Sequence, residues 1–185
     1  FEELKGGPPP PPVQEGKRPP VWLVLDEVMD PQNLGALLRS AYFLGSEGVV
    51  VCSKNSANLS PTVSKASAGA LELREVYSAK NLMQFLEFSK ELGWQVVGSA
   101  LNTNSVSAGS LKLDKPTLLV MGNEGRGLRT NVLRLCDILV QIDGGTRVSD
   151  LGHMMGDSEG EDVLDSLNVS VAGGILLHQL LCNKT

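Results

Sequence analysis

The sequence predicts an α/β fold, a mostly parallel sheet with helices on both faces. Two observations carry this expectation. Short apolar runs alternate with stretches of helical periodicity along most of the chain. The runs are apolar at successive positions rather than at every second one, as strands covered on both faces are. Composition agrees: of 185 residues, 42% are hydrophobic and 20% charged, an ordinary proportion for one globular domain. A chain of this length buries roughly 70% of its unfolded surface, so its core needs neither metal nor disulfide.

In order, residues 1–20 hold five consecutive prolines, Pro8 to Pro12, and then Pro19 and Pro20. They read as an extended linker. The first residue is Phe1 rather than methionine, which together with the linker predicts a further segment upstream. The catalytic-size unit then spans 21–181, with a short tail at 182–185. The expected strands are Val21–Leu25, Gly48–Cys52, a short piece at Val76 and Tyr77, 94–100, Thr117–Met121 and 138–142. The helices between and after them are 33–44, 61–70, 81–92, one near 130–135, and a last one over 167–181. Residues 144–165 break the rhythm with five glycines and six acidic residues. They read as an exposed, mobile insertion, disordered around 152–161. Their acidic spacing lacks the alternate ligands and closing glutamate of an EF-hand loop, so a solvated loop is preferred to a calcium site.

Cys52, Cys136 and Cys182 lie far apart and form no CxxC pair, which argues against zinc ribbons and disulfide frameworks and for a reducing compartment. No metal site is expected. Apolar runs fall short of the roughly 18 residues that a membrane span needs, and the first twenty residues lack a signal-peptide core. A net charge of −5 means that a nucleic-acid partner would have to be held by a local patch or a separate module.

Three constellations carry candidate chemistry. After the first strand come Asp30, Pro31, Gln32, Asn33, Leu34, Gly35 and, four residues later, Arg39. Asn33 is placed to cap the following helix, and by itself Arg39 reads as a snorkelling surface residue. After the strand ending at Met121 come Gly122, Asn123, Glu124, Gly125, Arg126, Gly127 and Leu128. Three glycines free the backbone to wrap a ligand. The loop lacks the Gly-Lys-Ser/Thr of a Walker motif, and its GxxGxG order is not the dinucleotide GxGxxG. Before the last helix, Ser166 and Asn168 are candidate caps, and Ser170, Ala172, Gly173 and Gly174 permit close backbone packing.

Taken in order, Asn33-x-Gly35-x-x-x-Arg39, Gly122-Asn123-Glu124-Gly125-x-Gly127-Leu128 and Ser166-Leu167-Asn168-Val169-Ser170-Val171-Ala172 closely resemble the three signature motifs of the SpoU/TrmH family of RNA ribose methyltransferases, in the SPOUT superfamily. Ser64 to Ala70 also looks like that family, and the likeness covers residues 21–181. It is nearest to mitochondrial and bacterial members acting on large-subunit ribosomal RNA.

The resemblance implies S-adenosylmethionine as methyl donor, an RNA ribose 2′-hydroxyl as acceptor, a deep C-terminal trefoil knot, a homodimer and a mitochondrial location. The knot rests wholly on the resemblance, since chains rarely thread their own loops. Carried over residue by residue, the donor would be held around Gly122, Asn123, Ile142 and Leu167, with Ser99 and Ala100 helping. Arg39 would be the central catalytic residue, and Asn33, Glu124, Ser166 and Asn168 would shape the site. The acceptor must be RNA, with ribosomal RNA expected; a tRNA ribose methyltransferase and a non-catalytic RNA-binding assembly protein are the alternatives. Arginine keeps its proton at physiological pH, so Arg39 is expected to grip phosphate and stabilise alkoxide charge rather than act as a base. His153 and His178 read as surface or core residues.

Overall fold

In the computed structural model, residues 2–10, 12, 16–73, 75–144 and 167–182 are described. Their strands form one sheet in the order β1-β4-β3-β2-β7-β5-β8-β6, with parallel pairing throughout. In chain order the elements are β1 Glu2–Glu3, β2 Val21–Leu25, α1 Pro31–Leu44, β3 Gly48–Cys52, α2 Pro61–Ser67, α3 Ala70–Leu73, β4 Val76–Ala79, α4 Leu82–Glu91, β5 Gln95–Ser99, β6 Val106–Ser107, β7 Thr117–Met121, α5 Thr130–Leu133, β8 Ile138–Gln141 and α6 Val169–Cys182.

Every residue of β2, β3 and β7 is buried, which is why these runs are apolar without alternation. The period of two survives in which core each side chain joins. Leu23, Leu25, Leu119 and Met121 pack with α1, α2 and α6 on one face. Trp22, Val24, Leu118 and Val120 pack with Phe85 and Leu86 of α4 and Val132 of α5 on the other. Helices therefore cover both faces, as expected.

Three local expectations change. Asp30, not Asn33, caps α1: its carboxylate accepts from the Gln32 backbone N–H at 3.0 Å. Pro31, with no N–H to satisfy and a helical φ, starts the helix directly after it. Asn33 lies inside the first turn and is free to point elsewhere. The helix expected over 61–70 divides because Ala68 and Gly69 have φ of +51° and +87°, so α2 stops and α3 begins. The stretch expected as a linker is docked over residues 2–8. There Glu2 and Glu3 pair with Tyr77 and Ser78, the Gly7 N–H donates to Ser89 Oγ at 2.8 Å, and Trp94 Nε1 donates to the Pro8 carbonyl at 2.8 Å.

The last helix lies along α1 in the same direction. Asn168 just before it meets Asn33, and a Cβ on Gly173 would stand 2.3 Å from Leu37 Cδ2. The small-residue stripe read in the sequence is this close approach. The insertion expected over 144–165 and the path that would tie a knot lie essentially between Gly144 and Leu167, outside the described residues.

Candidate functional site

A parallel sheet sends all its strand-to-helix turns out of one edge, where ligands of α/β folds collect. Here the strands end in register, Leu25 beside Val51 and Met121, and Ser99 beside Val140. The segments carrying Asp26 to Asp30, Gly122 to Leu128, Ser99 to Leu101 and Ile142 therefore leave the sheet side by side.

The glycine loop doubles back on itself. Asn123 and Gly127 exchange backbone hydrogen bonds of 3.0 and 2.9 Å, and Gly127 takes φ +66°. A Cβ on Gly122 would lie 2.3 Å from the carbonyl carbon of Gly127 and 2.5 Å from Leu128 N, so only glycine lets the strands of the loop close. Asn123 holds the loop from within. Its Oδ1 accepts from the N–H groups of Gly125 and Arg126 at 3.0 and 3.2 Å, and its Nδ2 donates to the Glu27 carbonyl at 3.0 Å.

Three motifs distant in sequence meet above this loop. Asn33 Nδ2 donates to Glu124 Oε1 at 3.1 Å, and Asn168 Nδ2 donates to Asn33 Oδ1 at 3.1 Å. The partners are 91 and 135 residues apart in the chain. Asn168 also caps α6, its Oδ1 accepting from Ser170 N at 2.9 Å and Ser170 Oγ at 2.6 Å. Each amide is thus used at both ends, and Asn33, nearly buried, takes its orientation from its two neighbours.

Arg39 is not part of this chain of hydrogen bonds. It lies six residues along α1 from Asn33, about 9 Å in rise, on an outward stripe with Gln32, Ala36 and Phe43. It is exposed, and among the described residues it has no hydrogen bond or ion pair. Ser166 lies outside the described residues. Of the predicted donor-binding positions, Gly122, Ala100 and Ile142 follow the adjacent strands β7, β5 and β8, and Ser99 ends β5. The Ala100 N–H donates to the Val140 carbonyl at 3.1 Å, and its carbonyl accepts from Ser105 Oγ at 2.7 Å; its backbone is engaged in holding the turn. Leu167 is 45% exposed and Leu101 64% exposed, which leaves apolar surface at the mouth.

Two features were missed by sequence reasoning. Leu101 is one. The other is a buried ion pair beneath the glycine loop: Asp26, 1% exposed, accepts from Arg129 Nε at 2.9 Å and Nη2 at 2.6 Å. Arg129 also faces Glu27 Oε1 at 3.4 Å. Burial works against the guanidinium charge, but the hydrogen bonds and charge of Asp26 outweigh it and hold Arg129 above its ordinary pKa. The available signal was an acid set directly after a wholly apolar strand.

A cavity lined by Leu59, Leu71, Glu72, Leu73, Glu75 and Val76 opens at the other edge, where β4 begins, and contains none of the predicted site residues. Among the described residues no helix is long and apolar enough to cross a membrane, and no three His, Cys, Asp or Glu side chains converge as metal ligands would.

The pattern of the SpoU rRNA Methylase family matches residues 20–151. The mitochondrial rRNA methyltransferase 1 of Schizosaccharomyces pombe is 41% identical over 187 residues, covering 94% of this chain and 57% of the relative. The 23S rRNA (guanosine-2'-O-)-methyltransferase of Pseudomonas syringae is 39% identical, covering 90% of this chain and 60% of its own. The AdoMet-bound rRNA methyltransferase from Sinorhizobium meliloti superposes with a TM-score of 0.73 at 28% identity, over 89% of this chain and 57% of that one. The chain therefore spans little more than half the length of these relatives.

Proposed function

This chain belongs to the SpoU rRNA methylase family, and from that premise we propose that it transfers a methyl group from S-adenosylmethionine to the 2′-hydroxyl of a ribose in large-subunit ribosomal RNA. The observation that carries the reading is the Glu124–Asn33–Asn168 contact, which joins all three signature motifs at the carboxyl edge of the sheet. The names of the relatives support ribosomal RNA as acceptor and the mitochondrion as location.

The site suits the donor. Turns at the ends of three adjacent strands offer main-chain groups, and Leu101, Leu167 and Ile142 offer apolar surface for a flat heterocycle. Gly122, Asn123, Ser99, Ala100, Ile142 and Leu167 would hold it. When bound, S-adenosylmethionine supplies an electrophilic methyl group on a sulfonium.

The chain's own residues must then place the ribose oxygen in line with that methyl, and alignment of this kind supplies roughly 7–11 kcal/mol. Asn33, Glu124 and Asn168 are locked by one another and hold the acceptor side rigid, with Ser166 beside them in sequence. Arg39, exposed and without a partner among the described residues, grips the phosphate next to the reacting ribose and stabilises negative charge as it develops on the oxygen. It stays protonated throughout, so the hydroxyl proton passes to a phosphate oxygen or water. Replacing Arg39 with Ala lowers turnover by about 10²–10³-fold while S-adenosylmethionine affinity, read by calorimetry, stays near wild type. Substantial residual turnover removes Arg39 from this role. Absent donor binding in the wild-type protein leaves a non-catalytic RNA-binding protein, and a lost 2′-O-methyl mark on tRNA instead of ribosomal RNA in cells lacking the protein changes the acceptor.

The same reading includes a homodimer and a C-terminal trefoil knot. Support for the dimer comes from α6, which carries no Asp, Glu, Lys or Arg yet leaves Val171 49% exposed, beside an α1 whose Phe43 is 84% exposed. An uncharged helix that leaves a large apolar side chain in water suits the surface of a partner.

A further inference from the structure

Glu27 follows β2 with φ +59°, in the left-handed region that strains a non-glycine residue. Glycine would sit there without strain, so the side chain has to be doing something in exchange. Its Oε1 accepts from Asn55 Nδ2 at 3.2 Å and faces Arg129 Nη1 at 3.4 Å. Asn55, itself at φ +57°, belongs to the turn after β3, and that turn is tied to the same segment again where the Ala57 N–H donates to the Val28 carbonyl at 2.9 Å. The Glu27 carbonyl meanwhile receives Asn123 of the glycine loop. One strained residue thus fixes the turn after β3 against the loop after β7.

What this turn presents is Lys54, exposed and without an ion pair among the described residues. Arg126, whose N–H is held by Asn123, and Arg39 are likewise exposed and unpaired there. Arg129 differs, since Asp26 and Glu27 neutralise it. Along the edge where the strands end, Lys54 and Arg126 stand among the exposed carboxylates of Asp30, Glu124 and Asp143, so in a chain of net charge −5 a polyanion would be held here by individual cations at set positions rather than by a broad basic field.

We infer that residues 53–56 form an RNA-docking turn of this protein, presented beside the glycine loop by Glu27 through Asn55, with Lys54 contacting a phosphate of the bound RNA. The inference rests on the methyltransferase reading for its partner and adds a surface to it. Glu27 is a positioning residue: it reaches the RNA only through Asn55 and the turn.

The test uses the full chain, in vitro transcribed large-subunit ribosomal RNA as probe, fluorescence anisotropy across a salt series, and calorimetry with S-adenosylmethionine. Lys54→Glu weakens RNA binding about tenfold and flattens the dependence of log affinity on log salt by about 0.7 or more, the slope of one phosphate contact on single-stranded nucleic acid. Glu27→Gly relieves the left-handed strain and keeps the carbonyl for Asn123, so its melting temperature is equal or higher and its donor affinity lies within twofold of wild type. Its RNA affinity nevertheless falls about threefold or more, and Glu27→Gln, which can still accept from Asn55, recovers part of the loss. A merely structural Glu27 would give the opposite pattern, a changed melting temperature with RNA affinity untouched. Unchanged RNA affinity and salt slope in Lys54→Glu, or a Glu27→Gly variant that loses donor and RNA binding together, overturns the inference. Wild-type donor binding and methyl transfer, measured alongside, judge the parent reading separately.

Discussion

Replacing Gly122 with Ala places a methyl group where the glycine loop crosses itself. The added carbon would stand 2.3 Å from the Gly127 carbonyl carbon, 2.4 Å from its oxygen and 2.5 Å from Leu128 N. Carbon atoms rest at about 3.5–4.0 Å, so the far limb must withdraw by more than about 1 Å. All three neighbours are backbone, and no rotamer change can absorb the clash. Withdrawal strains the paired Asn123–Gly127 hydrogen bonds, and overpacking of this sort costs about 1–3 kcal/mol, a fall of roughly 2–4 °C in melting temperature per kcal/mol for a chain of this size. The larger effect falls on the donor, because a 1 Å misplacement can cost about 10²-fold in rate. Methyl transfer to RNA reads the rate, calorimetric titration with S-adenosylmethionine reads the donor affinity that falls with it, and thermal melts read the stability. Gly125→Ala is the control: its Cβ would meet nothing closer than Asn123 Oδ1 at 3.7 Å, an ordinary contact. Wild-type donor affinity in Gly122→Ala, or an equal loss in Gly125→Ala, would refute the assignment of donor binding to this fold-back.

Other outcomes follow from neighbouring contacts. Arg129→Met strands the buried Asp26 carboxylate and lowers stability by about 3–5 kcal/mol, read by urea denaturation; adding Asp26→Asn recovers a large part, and a neutral Arg129→Met would show that the pair does not stabilise the fold. Gly173→Ala drives a methyl into fully buried Leu37 and lowers stability by about 1–3 kcal/mol, whereas Gly174→Ala, with Ser40 Oγ at 3.6 Å, is nearly silent in the same melts. Burial, reinforced by the charge of Asp137, pushes the Cys136 thiol up to about 11. Since the thiolate is the nucleophile, iodoacetamide labels exposed Cys182 first at pH 8, and Cys136 labelling accelerates about tenfold per pH unit as pH climbs toward that value; a pH-independent rate at Cys136 would contradict it.

Much of the fold is readable in the chain because burial on both faces writes itself as unbroken apolar runs. Val21–Leu25, Gly48–Cys52 and Thr117–Met121 are strands at those same bounds. Two-residue strands are a different matter: β1 is a pair of glutamates and β6 is Val106 with Ser107, and neither has a pattern to detect. They exist through pairing with β4 and β8. The break between α2 and α3 was hidden because Ala68, a strong helix former, takes a left-handed φ of +51° and ends α2. At the site, motif order pointed to Asn33, Glu124 and Asn168 meeting, which they do. Motif order says nothing of the side chains underneath, so the Asp26–Arg129 pair and the Glu27 strain came only with coordinates.

The family pattern begins at residue 20, yet the folded unit takes in residues before it. A version starting at residue 20 would bare the outer rim of β4 along Tyr77 and Ser78, rob the Trp94 indole of its acceptor and leave the Gly7 partner on Ser89 unmet. Raw strand rims of that kind recruit other chains, so such a truncation is expected to clump at concentrations where the longer form stays dispersed.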